Sequence, residues 1–250
     1  MFPYHDENET QRFPIVTVAL IALNVAAWVL LQGAGAEMPL AKSVCELGLI
    51  PAELMGTRPP GSVFEMGNGV RCLTDPGRQA GNILTSMFMH GSWMHLIGNM
   101  WFLWLFGNNI EDAMTRPRFV VFYLGCGLAA ALAQVWTNPT SVVPMVGASG
   151  AISGVMGAYL ILYPRVRVWA IIPLGIILTR VTIPAWGMLL YWAFIQLVSG
   201  VSTVGAEGGG VAFWAHIGGF VAGAILVRVL VRPDHLAEHQ RHEWEPQRSG

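Results

Sequence analysis

The chain has 250 residues, is 54% hydrophobic and only 12% charged, and carries a formal net charge of −1, with a mean hydropathy of +0.51. Soluble domains carry about a quarter charged residues, so lipid rather than water is the expected main solvent. The lack of a basic field excludes a nucleic-acid partner.

The amino-terminal stretch contains Asp6, Glu7 and Glu9 and lacks the basic start and small-residue cleavage site of a signal peptide. The first apolar run is therefore expected to stay as an anchor. A spanning helix needs roughly 20 mostly apolar residues, and the runs that qualify are 14–32, 83–108, 119–136, 145–163, 184–200 and 211–231. A further run, 168–178, contains Pro173 and is followed by Arg180 and Pro184. Joined to the next span it would bury Arg180 at a cost of roughly a few kcal/mol, so it is assigned to the interface. The expected fold is all-α, a polytopic membrane bundle of six transmembrane helices covering 14–231, with both termini cytoplasmic. Residues 1–13 form an inside segment and 232–250 a tail expected to be disordered.

Orientation follows from the arginines. The inside segments and helix ends hold Arg12, Arg116, Arg118, Arg165, Arg167, Arg180, Arg228, Arg232, Arg241 and Arg248, as the positive-inside rule requires. The outside loops hold Lys42, Arg58, Arg71 and Arg78, all in the long 33–82 loop and accompanied by acids. That loop has room for short interfacial helices. Its Cys45 and Cys72 are free to pair if it faces an oxidising compartment, which the sequence leaves open. Cys126 reads as a small buried hydrophobe. The glycine-rich 201–210 loop suits a movable outside cover.

Polar groups in a bilayer are costly and tend to mark function. Those in the spans are His90, His95, Asn99, Gln134, Ser149, Ser153, Gln196 and His216. Gln134, Ser153 and Gln196 read as helix-to-helix glue. The others agree in depth: Ser149 stands sixteen residues before Arg165, His95 sixteen before Glu111, and His216 sixteen before Arg232. At 1.5 Å per residue each lies about 24 Å above the inner charged end, with Asn99 about one turn deeper. Pro144 and Gly147 favour an irregular approach that ends in a helix starting at Ser149. Free backbone N–H groups there suit either an ordinary helix cap or a developing oxyanion. Gly150, Gly154 and Gly157 on that helix, and His216, Gly219 and Gly223 on the last, form small-residue faces that permit close approach.

A serine hydroxyl needs a base, most often histidine. No Asp or Glu occurs in 83–110, 119–163, 184–206 or 211–233, so a Ser149–His216 dyad is expected rather than a triad. His95 and Asn99, one turn apart, are placed to donate to an oxyanion together with the Ser149 N–H. The missing acids exclude an aspartyl intramembrane protease and weaken a proton-coupled transporter, and no His-Glu-x-x-His zinc motif is present.

His90-Gly-Ser-Trp-Met-His95-Leu-Ile-Gly-Asn99, Gly147-Ala-Ser149-Gly150 and Ala215-His216-Ile-Gly-Gly219-x-x-x-Gly223 resemble the three signature segments of rhomboid intramembrane serine proteases. They stand in the family's order, on its second, fourth and sixth spans, and the likeness covers roughly 14–231. The resemblance implies Ser149 as nucleophile forming an acyl-enzyme and His216 as base and then acid. It implies His95, Asn99 and the Ser149 N–H as oxyanion hole, and His90 as a structural residue tying down the first loop. Gly147, Gly150, Gly219 and Gly223 would shape the site, and the fifth span would border substrate access. It further implies transmembrane protein substrates cut near the outer edge of a helix, no cofactor, and a bacterial inner-membrane location with the site open to the outside. The aromatic residue that often follows the nucleophile by four positions and stacks on the base is Ser153 here, and the first-loop Trp-Arg pair of some relatives is absent. The alternative is a catalytically silent rhomboid-like protein that binds membrane clients. Such proteins generally lack the Ser or the His, and both stand here. A small transporter or channel is a further rival.

Overall fold

The computed structural model describes residues 2–66, 70–74, 79–174, 177–202 and 211–244. In chain order these form β1 (Phe2–Asp6), α1 (Ile15–Leu30), α2 (Glu37–Leu47), α3 (Pro51–Leu54), β2 (Val63–Met66), β3 (Val70–Leu73), α4 (Gln79–Thr85) and α5 (Trp93–Asp112). There follow α6 (Arg116–Thr137), α7 (Ser149–Leu162), β4 (Arg167–Leu174), β5 (Ile177–Pro184), α8 (Ala185–Ser202), α9 (Phe213–Leu230) and α10 (Pro233–Trp244). Apart from the run 168–178, the apolar runs form helices because lipid offers their backbone no partner and a helix satisfies its own groups. Among the described residues, α6, α8 and α9 are long and apolar enough to cross a membrane, and α1 and α7 are shorter apolar helices.

α7 is the axis of the molecule. It touches α5, α6, α8 and α9, and Gly150–Tyr159 is buried throughout. Around it Phe106, Phe119, Phe122, Tyr123, Ile152, Val155 and Tyr159 form the main core, all at 2% exposure or less. Large apolar side chains on the outer helices point away from this core, among them Val121, Leu132, Leu190, Phe194, Val221 and Ile225. The long helices thus carry an apolar exterior as well as an apolar interior, the pattern of a protein surrounded by hydrocarbon.

The structure corrects the expected fold in several places. It is not purely helical: β4 and β5 form an antiparallel hairpin with Ile171 opposite Arg180, and β1 joins the other edge of β4 with Phe2 opposite Ile171. The described part of the apolar run 168–178 lies in this sheet because its β-branched residues favour strands and Pro173 and Pro184 obstruct a helix. The second span's helix starts at Trp93 rather than at residue 83. Ser92, in extended backbone, caps it by accepting the His95 N–H at 3.1 Å. Residues before Gly91 form the end of α4 and a 3₁₀ turn, Ser86–Phe88, so His90 precedes the helix. The expected disordered tail contains α10, where Pro233 presets the first helical turn and Asp234 faces the positive helix end. The 201–210 cover lies almost wholly outside the described residues.

The long first loop is ordered by short elements. α2 is tied to β3 by a Cys45–Cys72 disulfide with Cα atoms 5.4 Å apart. β3 pairs with β2 in a two-stranded ribbon. At the other end of the helices, polar contacts bind the amino terminus to α5. Glu111 accepts from the Val16 and Thr17 N–H groups and from Thr17 Oγ1, all within 2.9 Å, and so caps α1 from a distant helix. Asp6 accepts from Asn109 Nδ2 and from the Tyr159 hydroxyl, and Trp101 Nε1 donates to Pro3 O. β1 is thereby locked to the ends of α5 and α7.

Candidate active site

The segment ahead of α7 is irregular, and its backbone is paired elsewhere. Met145 and Leu49 exchange N–H···O bonds of 2.7 and 3.0 Å, Ala52 N donates to Ser141 O, and Gly147 N donates to Ser86 O at 2.8 Å. The first loop and the 3₁₀ turn at Ser86 therefore supply the partners that lipid withholds. Gly147 has φ +125°, a backbone open to glycine, and a Cβ there would lie 2.8 Å from Cε1 and Nε2 of the His95 ring. This turn delivers Ser149 to the first residue of α7 with Ala148 as N-cap and no side chain capping the helix. The Ser149 hydroxyl does not cap. Its Oγ lies 2.7 Å from His216 Nε2 on α9.

That approach depends on glycines. A Cβ on Gly219 would meet the Gly150 carbonyl, one on Gly223 would meet Gly154, and one on Gly157 would meet Phe220 O. α7 and α9 touch backbone to backbone, so two side chains as short as Ser and His span the gap. The α9 start is held by Gln134 of α6, whose Oε1 accepts the Ala215 N–H at 3.3 Å. Gln134 is thus helix glue, as its position suggests. Ser153 bonds within its own helix, donating to Ser149 O at 2.6 Å. Gln196 does neither: its Oε1 lies 2.7 Å from His216 Nδ1.

The Ser149–His216 pair opens into a cavity of about 540 Å³ also lined by Ser92, His95, Asn99, Gly147 and Trp192. Asn99 is buried, and its Nδ2 has no hydrogen-bond partner. The same Nδ2 lies 3.6 Å from where a Gly147 Cβ would stand. His95 Nδ1 accepts the Gly91 N–H at 3.3 Å, so the neutral ring carries its proton on Nε2, the atom facing Gly147. The first-turn N–H groups of α7 have no intrahelical acceptor. Three kinds of donor thus border one hollow. His90 stands behind them. Its backbone exchanges two hydrogen bonds with the Gln32 side chain at the end of α1, and its ring meets His95 edge-on at 5.1 Å. The link to the loop runs through the His90 backbone rather than its imidazole. Among the described residues no group of three or more His, Cys, Asp or Glu side chains gathers in a way that holds a metal.

The rhomboid domain model matches residues 77–233, more than half of the chain. The chain belongs to the rhomboid family. Similar proteins include Rhomboid protein 1, mitochondrial, of Saccharomyces cerevisiae, at 27% identity over 58% of this chain and 40% of the yeast protein. Rhomboid-like protease 5 of Toxoplasma gondii is 28% identical over 63% of this chain and 17% of its own length. Rhomboid protease GluP of Bacillus subtilis is 32% identical over 58% and 25%. The match thus spans well under half of these relatives. Family membership and the apolar helices make this rhomboid an integral membrane protein. The family includes intramembrane serine proteases as well as inactive members.

Two contacts in this rhomboid's site were not anticipated, and both come from α8. Beside the Gln196 bond, the Trp192 ring leans on His216 at 5.8 Å between centroids and 39° between planes. The stacking partner missing at Ser153 is therefore supplied from a different helix. The sequence signal was present but weak: Trp192 and Gln196 are one turn apart, so they share a face of α8.

Proposed function

We propose that the chain is an intramembrane serine endopeptidase that cuts transmembrane protein substrates through a Ser149–His216 dyad. The observation that carries this reading is the 2.7 Å contact between Ser149 Oγ and His216 Nε2 at the wall of a cavity. His216 Nε2 takes the Ser149 proton as Oγ attacks the scissile carbonyl carbon. The carbonyl oxygen becomes an oxyanion that receives hydrogen bonds from the Ser149 N–H, Asn99 Nδ2 and His95 Nε2. The imidazolium then protonates the leaving amine, which departs and leaves an acyl-enzyme. A water gives its proton to His216, attacks the ester carbon and releases the acid, restoring both side chains. Support for the oxyanion role of Asn99 is its buried, unpartnered amide nitrogen, which a bound oxyanion would satisfy. No step requires a cofactor.

In this reading α1, α5, α6, α7, α8 and α9 are the six spans of a membrane domain over 14–231. Both termini and the β1–β4–β5 sheet lie on the inner face, and the first loop and the cavity lie toward the outer face. α7 is about 21 Å long, short of a core roughly 30 Å thick, which favours a water-filled hollow above Ser149. The Cys45–Cys72 disulfide fits an oxidising outside, as on the outer side of a bacterial cell membrane. Purified protein in detergent is to be incubated with a reporter transmembrane substrate, comparing wild type with Ser149→Ala and His216→Ala. Cleavage is expected from the wild type alone, and a serine-directed phosphonate should label wild type and spare Ser149→Ala. Equal cleavage by either variant removes the dyad, and binding without cleavage by the wild type marks a catalytically silent relative.

A further inference from the structure

An imidazole acts as a base through one nitrogen only, and a dyad lacks the carboxylate that selects that nitrogen in a triad. Among the described residues no Asp or Glu contacts the His216 ring, yet both of its nitrogens are engaged. Nε2 meets Ser149 Oγ and Nδ1 meets Gln196 Oε1, each at 2.7 Å. An amide oxygen has lone pairs and no hydrogen, so the second contact is a hydrogen bond only when Nδ1 carries the proton. A neutral ring has one N–H. With Nδ1 protonated, Nε2 must be bare, and the Ser149 O–H must be the donor between them. The opposite tautomer would face the Gln196 oxygen with a lone pair, losing that bond, and would make Nε2 the donor to Ser149 Oγ, so that it could no longer take the serine proton.

We infer that Gln196 is the positioning residue of the dyad, an uncharged substitute for a triad's third member that holds His216 in the tautomer able to accept the Ser149 proton, with Trp192 fixing the tilt of the ring. The inference rests on the Ser149–His216 reading. Two independent contacts arise from one turn of one helix: Trp192 leans on the ring face, and Gln196, i+4 from it, takes the ring edge. The i, i+4 spacing places them on the same face of α8. The residue that would otherwise stack from α7 is Ser153, whose hydroxyl is turned back to Ser149 O and contributes nothing to the ring. His216 is thus oriented from α8, whereas its helix is positioned by α7 and α6. A neutral oxygen also differs from a carboxylate in effect. It selects the tautomer without adding a charge that would raise the basicity of the ring strongly, which suits a site where the described residues supply no counter-charge.

Gln196→Met preserves size and removes the acceptor, and Gln196→Glu keeps an acceptor and adds a charge. The direct readout is the ¹⁵N spectrum of ring-labelled histidine, with His216 assigned among the seven histidines by its loss in His216→Ala. The wild type should show a protonated Nδ1 and a bare Nε2, and Gln196→Met should show a mixture of tautomers. Turnover on the reporter substrate should fall about tenfold in Gln196→Met with KM unchanged, the size expected for one lost hydrogen bond in a poorly solvated site. Gln196→Glu should recover turnover at high pH while its acidic limb moves up by about one unit or more, because a carboxylate beside the ring favours the imidazolium. Among the described residues, the titratable group facing His216 from another packed element is His95 on α5. Ser149 and Trp192 are its other side-chain contacts, so a shift confined to the position-196 variants reports on position 196. An unchanged tautomer and an unchanged pH profile in both variants overturn the inference. The spectrum does not depend on catalysis. If Ser149→Ala cleaves like wild type while the tautomer follows residue 196, the dyad reading fails and the Gln196 contact stands.

Discussion

Gly219→Ala tests whether helix spacing, rather than the mere presence of Ser and His, creates the site. A Cβ on Gly219 would lie 2.9 Å from the Gly150 carbonyl carbon and nearer still to its oxygen, where carbon contacts settle at about 3.5–4.0 Å. Because the obstacle is backbone at the start of α7, no rotamer change relieves it, and α9 must retreat by about 1 Å. Gly219 is three residues from His216, so the ring retreats with it. The Ser149–His216 separation of 2.7 Å would stretch to about 3.7 Å, which is no longer a hydrogen bond. A misplacement of that size costs on the order of 10²-fold in turnover, and overpacking costs about 1–3 kcal/mol of stability. Turnover on the reporter substrate and thermal unfolding in one detergent measure both. Gly81→Ala is the control, since nothing lies within 4 Å of a Cβ there and the substitution should be neutral or slightly stabilising. Gly223→Ala meets Gly154 two turns from His216. It should lose comparable stability but less activity, because the helix is able to pivot. Wild-type turnover in Gly219→Ala, or equal activity losses in both glycine variants, would refute the link between backbone contact and the dyad.

Asn99→Ala should lower kcat by about 10²–10³ if its amide receives the oxyanion, yet leave thermal stability unchanged or higher, because it removes a buried donor without a partner. A parallel fall in stability and turnover would instead mark Asn99 as structural. Glu111→Ala should destabilise by about 2 kcal/mol by uncapping α1, which loses the Val16 and Thr17 bonds; a melting temperature within error of wild type would refute it. Cys45→Ser, or reduction of the wild type, should remove about 2–4 kcal/mol, read as earlier unfolding and faster proteolysis of the first loop. The reduced wild type and the variant should then behave alike.

Much of the site was legible because membrane solvent makes polarity informative. Ser149, His95, Asn99 and His216 stand out in apolar runs, and counting residues to the inner charged ends placed them in one layer. The structure lines one cavity with all four. Pro144 and Gly147 announced the break before α7. Other features were ambiguous. The run 168–178 is apolar without a clear period, and its pairing with β1 joins residues such as Phe2 and Ile171 from opposite parts of the chain. The start of α5 is blurred in the sequence because the stretch 83–89 is mostly apolar and runs on toward the helix, and Ser92 does not stand out as a cap. Cys45 and Cys72 were free to pair or not, and α2 and the β2–β3 ribbon bring them together.

Composition and spacing by themselves determined the solvent, the layer of polar groups, and the small-residue faces, because each follows from hydropathy and from the fixed rise of a helix. Which polar residue answers which was decided only in three dimensions. Gln134, Ser153 and Gln196 look alike along the chain, and one holds a helix start, one bonds its own backbone and one meets the imidazole. The three stand on α6, α7 and α8, and the rotation of each helix about its axis, set by the packing of its neighbours rather than by any local preference of its own residues, decides which partner each one meets.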